Sequence, residues 1–155
     1  MTDVEVSEEI AAPADAVYGM VANLPRMGEW SPENTGGRWV GGATGPSVGA
    51  KFRGTNRAGW RLWSTTATVR VAEEARRFSF DIDVLGVPIS TWDYTFTETA
   101  GGCVVSESWT DNRPGWMRTV SVPMMGVRDR AAHNRANMEQ TLRRLKQAAE
   151  TAHPR

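Results

Sequence analysis

The hydrophobic pattern of this chain changes period three times, from strand to helix, back to strand, and finally to a long helical stretch. Val4, Val6 and Ile10 alternate with Glu5, Ser7 and Glu9, the period-two signature of a strand with one apolar face. Pro13 then stands near a helix start. Val17, Tyr18, Met20, Val21 and Leu24 take up helical spacing, which predicts a short helix over residues 14–23 that Pro25 ends. A second short helical turn is expected at 26–30, after which Ser31-Pro32-Glu33-Asn34 leads away as a loop. Glycine is dense between Gly36 and Gly59, which points to turns and bulges in a strongly bent sheet. Residues 38–40 and 50–53 read as short strands there, with Asn56 and Arg57 in a hairpin turn before Gly59.

Longer strands are predicted at 60–73, 77–85, 89–98 and 103–111. In the second of these Phe78, Phe80, Ile82 and Val84 alternate with Ser79, Asp81 and Asp83. In the third, Trp92, Tyr94 and Phe96 alternate with threonines and Asp93. The turns between them are read at 86–88 and 99–102. Strands joined by short turns make an antiparallel meander, and a meander with one apolar face needs a cover. Only residues 126–150 are long enough to supply it. Val127, Ala131, Met138, Leu142, Leu145 and Ala149 fall within an arc of about 60° at roughly 100° per residue, while His133 projects away and is expected to be exposed. Asn134 and Thr141, both polar, lie on or beside this apolar stripe, so they either make core hydrogen bonds or line a cavity. Residues 112–125 are expected to be partly helical and broken at Pro123.

Composition narrows the possibilities. The 155 residues suit a single domain over 1–155, with a frayed tail at 151–155. Basic and acidic residues number 18 each, which argues against a general nucleic-acid partner. Cys103 is the single cysteine and is read as a small edge or core residue. No Cys/His cluster suggests a metal, and no cofactor fingerprint is present. An acidic N-terminus without an apolar run and the lack of any long apolar stretch lead to the expectation of a cytoplasmic chain with no integral membrane segment. The state is left as monomer or homodimer. Seven tryptophans exceed what such a core needs, and large aromatics in excess often surround a ligand.

The run Glu9-Ile10-Ala11-Ala12-Pro13-Ala14-Asp15-Ala16-Val17-Tyr18 resembles the opening of the START-like, or SRPBCC, superfamily, in its polyketide cyclase/dehydrase and lipid-transport branch. Met27-Gly28-Glu29-Trp30-Ser31-Pro32-Glu33 resembles the tryptophan-containing helix and loop that follow, and Val48-Gly49-Ala50-Lys51-Phe52-Arg53-Gly54 with Trp63 resembles the next strands. The resemblance covers about residues 3–149. It implies an α+β helix-grip fold: a curved antiparallel sheet of about seven strands wrapped around a long C-terminal helix, with two short helices after the first strand. It also implies a cavity between sheet and helix, which turns Asn134 and Thr141 into candidate lining residues beside Met138.

Strand alternation places Phe80, Trp92 and Tyr94 on the inward face. On the last strand Glu107 and Trp109 share a face. Either that face lines the cavity, where a carboxylate beside indoles acquires a raised pKa, or the strand is turned the other way and Glu107 pairs with an arginine. Glu107, Tyr94 and Glu33 are the candidate catalytic groups, and histidine sets for nucleophilic catalysis are absent. Trp30, Trp63, Trp116 and Met124 complete the candidate ligand contacts. The leading expectation is a protein that binds a hydrophobic or aromatic small molecule, such as a lipid or polyketide, without cofactor or metal. The alternatives are a cofactor-free polyketide cyclase or dehydratase-like enzyme, and an interaction module of the toxin or quinone-binding type.

Overall fold

The computed structural model describes residues 2–119 and 130–154. Strand β1 (Val4–Ile10) leads through helix α1 (Ala14–Ala22) and a 3-10 turn (Leu24–Glu29) into β2 (Asn34–Val40), β3 (Lys51–Ala58), β4 (Arg61–Glu73), β5 (Arg77–Val84), β6 (Val87–Thr99) and β7 (Gly102–Asp111). Residues 115–119 are helical, and the long C-terminal helix α2 covers Arg130–Ala152. The seven strands form one antiparallel sheet in the order β1-β7-β6-β5-β4-β3-β2. This is the expected helix-grip architecture. Residues 120–129, and with them Pro123, Met124 and Val127, lie outside the described residues.

Several expected boundaries move. The strand at 50–53 runs on to Ala58, so Asn56 and Arg57 are not in a turn: they pair across the ladder with Trp63 and Leu62. Val87 and Pro88 are likewise strand residues. The β5–β6 turn contracts to Leu85-Gly86, both at positive φ (52° and 81°), the conformation that matches the twist of a two-residue hairpin. The helix persists to Ala152, further into the tail than composition suggested.

One end of the concave face is filled. Tyr18 of α1 packs on Phe78 and Phe96, with ring centroids 6.1 and 5.5 Å apart, and Val17, Leu145, Ala149 and Cys103 complete this apolar end. Helix α2 packs principally on β1, at the edge of the sheet. Ala11 N donates to Glu150 Oε1 at 3.0 Å and Lys146 Nζ donates to Glu9 O at 2.8 Å, which clamps the C-terminal half of the helix to the end of β1. At the start of β7, a Cβ on Gly102 would collide with the Ile10 carbonyl, so only glycine admits this approach of the strands.

Two substitutions separate packing from turn chemistry. Leu145→Ala, at a position with no exposure, is expected to lower unfolding free energy by about 2–5 kcal/mol. Leu85→Asn, which exchanges a 96% exposed side chain at positive φ for one that tolerates it, is expected to raise it by about 1 kcal/mol. Urea denaturation reads both, and an unchanged midpoint in either variant contradicts that assignment.

Candidate functional site

At the other end of the concave face the inner surface of the sheet does not meet α2, and a cavity of about 180 Å³ remains. Its walls come from six strands, β2 to β7, and include Asn34, Phe52, Trp63, Phe80, Trp92 and Trp109. Leu24 and Met27 of the 3-10 turn, and Met138 and Thr141 of α2, close it. The inward residues of β7 are Cys103, Val105, Glu107 and Trp109, all buried, which answers the question of which way this strand faces.

Glu107 and Tyr94 stand directly opposite each other on β7 and β6. The Tyr94 hydroxyl donates to Glu107 Oε1 at 2.7 Å. Oε2 is buried and has no partner among the described residues. Burial pushes the Glu107 carboxyl up to about 8, against the opposing effect of the tyrosine hydrogen bond. Burial and the neighbouring Glu107 push the Tyr94 hydroxyl well above its ordinary value. At neutral pH the pair is therefore a phenol donating to a carboxylic acid. Because Oε1 accepts the hydrogen bond from the phenol, Oε2 is left to carry the acid's own proton. A neutral acid in such a place can donate a hydrogen bond to a ligand oxygen or give up a proton.

A second polar group gathers where the lining becomes half-buried. Glu33 follows the 3-10 turn, and its carbonyl accepts from Arg57 N at 2.7 Å. One of its carboxylate oxygens meets His133 Nε2, and the other lies 3.5 Å from Arg130 Nη2. Asn137 Nδ2 is 3.1 Å from the same His133 nitrogen. Helical geometry alone turned His133 to solvent, but the loop carrying Glu33 rises beside the helix and takes it up. Nearby, Arg113 grips Asp111 through Nε and Nη2 at 2.9 and 2.7 Å. Burial alone would raise the Asp111 carboxyl, yet these bonds hold it below its usual value.

Of the residues singled out in the sequence, Glu33, Trp63, Phe80, Trp92, Tyr94, Glu107, Trp109, Asn134, Met138 and Thr141 all line this one cavity. Trp30 does not. It is buried in the core with the Arg26 guanidinium 5.2 Å from its ring centroid, and Met27 of the same turn takes the lining position. Trp116 is 62% exposed, because the helical residues at 115–119 turn its neighbour Met117 inward instead. Met124 lies outside the described residues. Arg113, Arg130 and Asn137 also line the cavity and were not singled out. Arg130 precedes Asn134 by four and Met138 by eight, a spacing that marks the same side of the helix. Among the described residues no group of three or more His, Cys, Asp or Glu is placed to hold a metal, and no helix is long and apolar enough to cross a membrane.

A curved sheet gripping a C-terminal helix over an aromatic-lined cavity defines the START-like class. The chain belongs to the polyketide cyclase/dehydrase and lipid transport family, whose model matches residues 1–150. It is similar to a polyketide cyclase-like protein from Corynebacterium glutamicum, with 29% identity and a TM-score of 0.67 over 98% of this chain and 94% of that one. An AHSA1-like protein from Aeromonas hydrophila shares the fold at 21% identity and a TM-score of 0.64, over 96% of this chain and 92% of that one. The di-domain ARO/CYC StfQ of the steffimycin biosynthetic pathway shares it at 16% identity and a TM-score of 0.71, over 96% of this chain and 50% of that one. No curated protein matches the chain in sequence.

The Glu107 acid sets a stability signature. Its folded pKa lies above the unfolded value, so the folded state keeps a proton that the unfolded chain has lost. The contribution is complete below about pH 4.5 and is lost as pH rises through about 8. Glu107→Gln, which mimics the neutral acid, is expected to leave stability at pH 4.5 nearly unchanged and to raise it at pH 8. Urea midpoints across this range measure the difference, and parallel curves for the two proteins would remove the raised acid.

Proposed function

We propose that this protein binds an apolar, ring-bearing small molecule, a polyketide or a similar compound, in the cavity between sheet and helix. The observation that carries the reading is the unpartnered Oε2 of a buried acid in a cavity walled by Trp63, Phe80, Trp92 and Trp109. Aromatic walls offer stacking surface, and the Glu107–Tyr94 pair offers a polar contact that would fix a ligand's orientation. A cavity of about 180 Å³ is on the scale of a small ring system, since an apolar cavity of about 150 Å³ holds benzene. A longer ligand extends past Trp92 toward Glu33 and Arg113, where the lining is half-buried. Family membership is consistent with such a ligand.

The same pair favours a second reading, acid–base catalysis on the bound molecule. Glu107 holds its proton up to about pH 8 and is within reach of Tyr94, so the two could protonate a ligand carbonyl and promote cyclisation or loss of water.

Tryptophan emission tests the first reading directly, because Trp63, Trp92 and Trp109 line the cavity. Titration with a panel of aromatic polyketides and lipids is expected to give saturable quenching by at least one class, with the matching one-to-one complex in native mass spectrometry. Linear quenching throughout and no retained species would contradict it. For a compound that is turned over, Glu107→Gln and Tyr94→Phe are expected to lower kcat by about 10²–10⁴-fold and affinity far less. Equal loss of both parameters would leave the pair a binding role only.

A further inference from the structure

The wall that α2 gives to the cavity is divided lengthwise. At about 100° per residue, Leu142, Ala149, Met138 and Leu145 occupy an arc of about 60°, and Asn134, Thr141, Arg130 and Asn137 occupy the adjoining arc of about 60°. All four of the polar residues line the cavity. Two of them are engaged within the helix: Thr141 donates to the Asn137 carbonyl at 2.8 Å, and Asn137 approaches His133. The other two are not satisfied. Arg130 Nη1 and Asn134 Nδ2 are buried and find no partner among the described residues.

Both unfilled positions are donors. They sit on residues four apart, about 6 Å along the helix axis, with Asn134 2% exposed and Arg130 nearer the half-buried end. Glu33 meets the Arg130 guanidinium on one side only, at 3.5 Å, because its other oxygen is held by His133. Burial works against the Arg130 charge, the neighbouring Arg113 adds to this, and Glu33 and Asp111 only partly offset it. A partly buried guanidinium whose Nη1 is enclosed and unpartnered is best matched by an anionic oxygen, since hydrogen bonds to a charged acceptor are about twice as strong as neutral ones. A neutral carbonyl, hydroxyl or water would suffice for Asn134 but would leave the charge on Arg130 under-compensated.

Building on the binding role proposed above, we infer that the ligand is a carboxylic acid. Its carboxylate accepts from Arg130 Nη1, and a second oxygen, carbonyl or hydroxyl, lies about one helical turn deeper and accepts from Asn134 Nδ2. Its apolar ring then lies between the Met138 side of α2 and the aromatic face of the sheet. The helix thus selects the ligand's polar pattern while the sheet selects its ring.

Calorimetric titration with 4-hydroxybenzoate, 4-hydroxybenzamide and benzoate tests both contacts. The acid is expected to bind at least about tenfold more tightly than the amide. Arg130→Gln is expected to bring them within about twofold, with a circular dichroism spectrum like that of the natural protein reporting that the variant is folded. Asn134→Leu is expected to remove the advantage of 4-hydroxybenzoate over benzoate and to keep the preference for the carboxylate. Equal affinity of acid and amide for the natural protein, or a preference that survives Arg130→Gln, overturns the inference while the cavity remains a binding site. Should Arg130→Gln lose all three compounds, Arg130→Lys decides: a retained acid preference supports the contact and a lost one overturns it. No binding of any of the three to the natural protein overturns the inference, and the tryptophan-quenching panel then decides the binding role separately.

Discussion

Where the C-terminal helix sits determines the rest of this structure. A seven-stranded concave face is wider than one helix, and α2 is held at its β1 edge by the Lys146 and Glu150 contacts at the end of that strand. The remaining apolar surface is divided between two solutions. Over Phe78 and Phe96 it is covered by Tyr18 and the body of α1. Over Phe80, Trp92 and Trp109 nothing of comparable bulk arrives from the described residues, and the uncovered area becomes the cavity. Close packing at one end and a void at the other follow from a short first helix that reaches only part of the sheet. A void of this size costs stability unless something occupies it, so its retention beside an otherwise filled core is itself in keeping with a binding role.

Polar groups within that void follow from strand register. Because β6 and β7 pair Tyr94 with Glu107, an alternation that makes the face apolar elsewhere brings a phenol and a carboxyl together where both are buried. The carboxyl responds by keeping its proton. On the facing wall, the unpartnered polar atoms of the helix, Arg130 Nη1 and Asn134 Nδ2, are donors. The cavity is thus lined by an acid on the sheet, two unfilled donors on α2 and indoles between them, a chemistry suited to an oxygenated ring compound more than to a plain hydrocarbon chain.

Much of this was legible in the sequence, for identifiable reasons. In 78–84 and 92–97 apolar or aromatic residues alternate with Asp, Ser and Thr, so the inward face of β5 and β6 follows from period two alone. Asn134 and Thr141 stood out because they interrupt an apolar stripe. The less legible parts depend on what comes near, which periodicity does not encode. His133 points away from the stripe but is met by a loop a hundred residues earlier in the chain. Asn56 looked like turn material because Gly59 follows it, yet β3 runs to Ala58 and directs its amide to the Thr65 hydroxyl at 3.1 Å. Trp30 and Trp116 had the composition of ligand contacts. Their neighbours Met27 and Met117 have the position, a difference of orientation within a single short turn.

The central claim is that Glu107 is a neutral acid in a cavity that excludes bulk water. Carboxyl carbon chemical shifts in protein labelled at glutamate, followed from pH 4 to pH 9, address it without any ligand, with Glu107→Gln identifying the resonance. The account predicts one glutamate that keeps the shift of a protonated carboxyl through neutral pH and titrates near pH 8. A Glu107 resonance that titrates between pH 4 and pH 5 would contradict it.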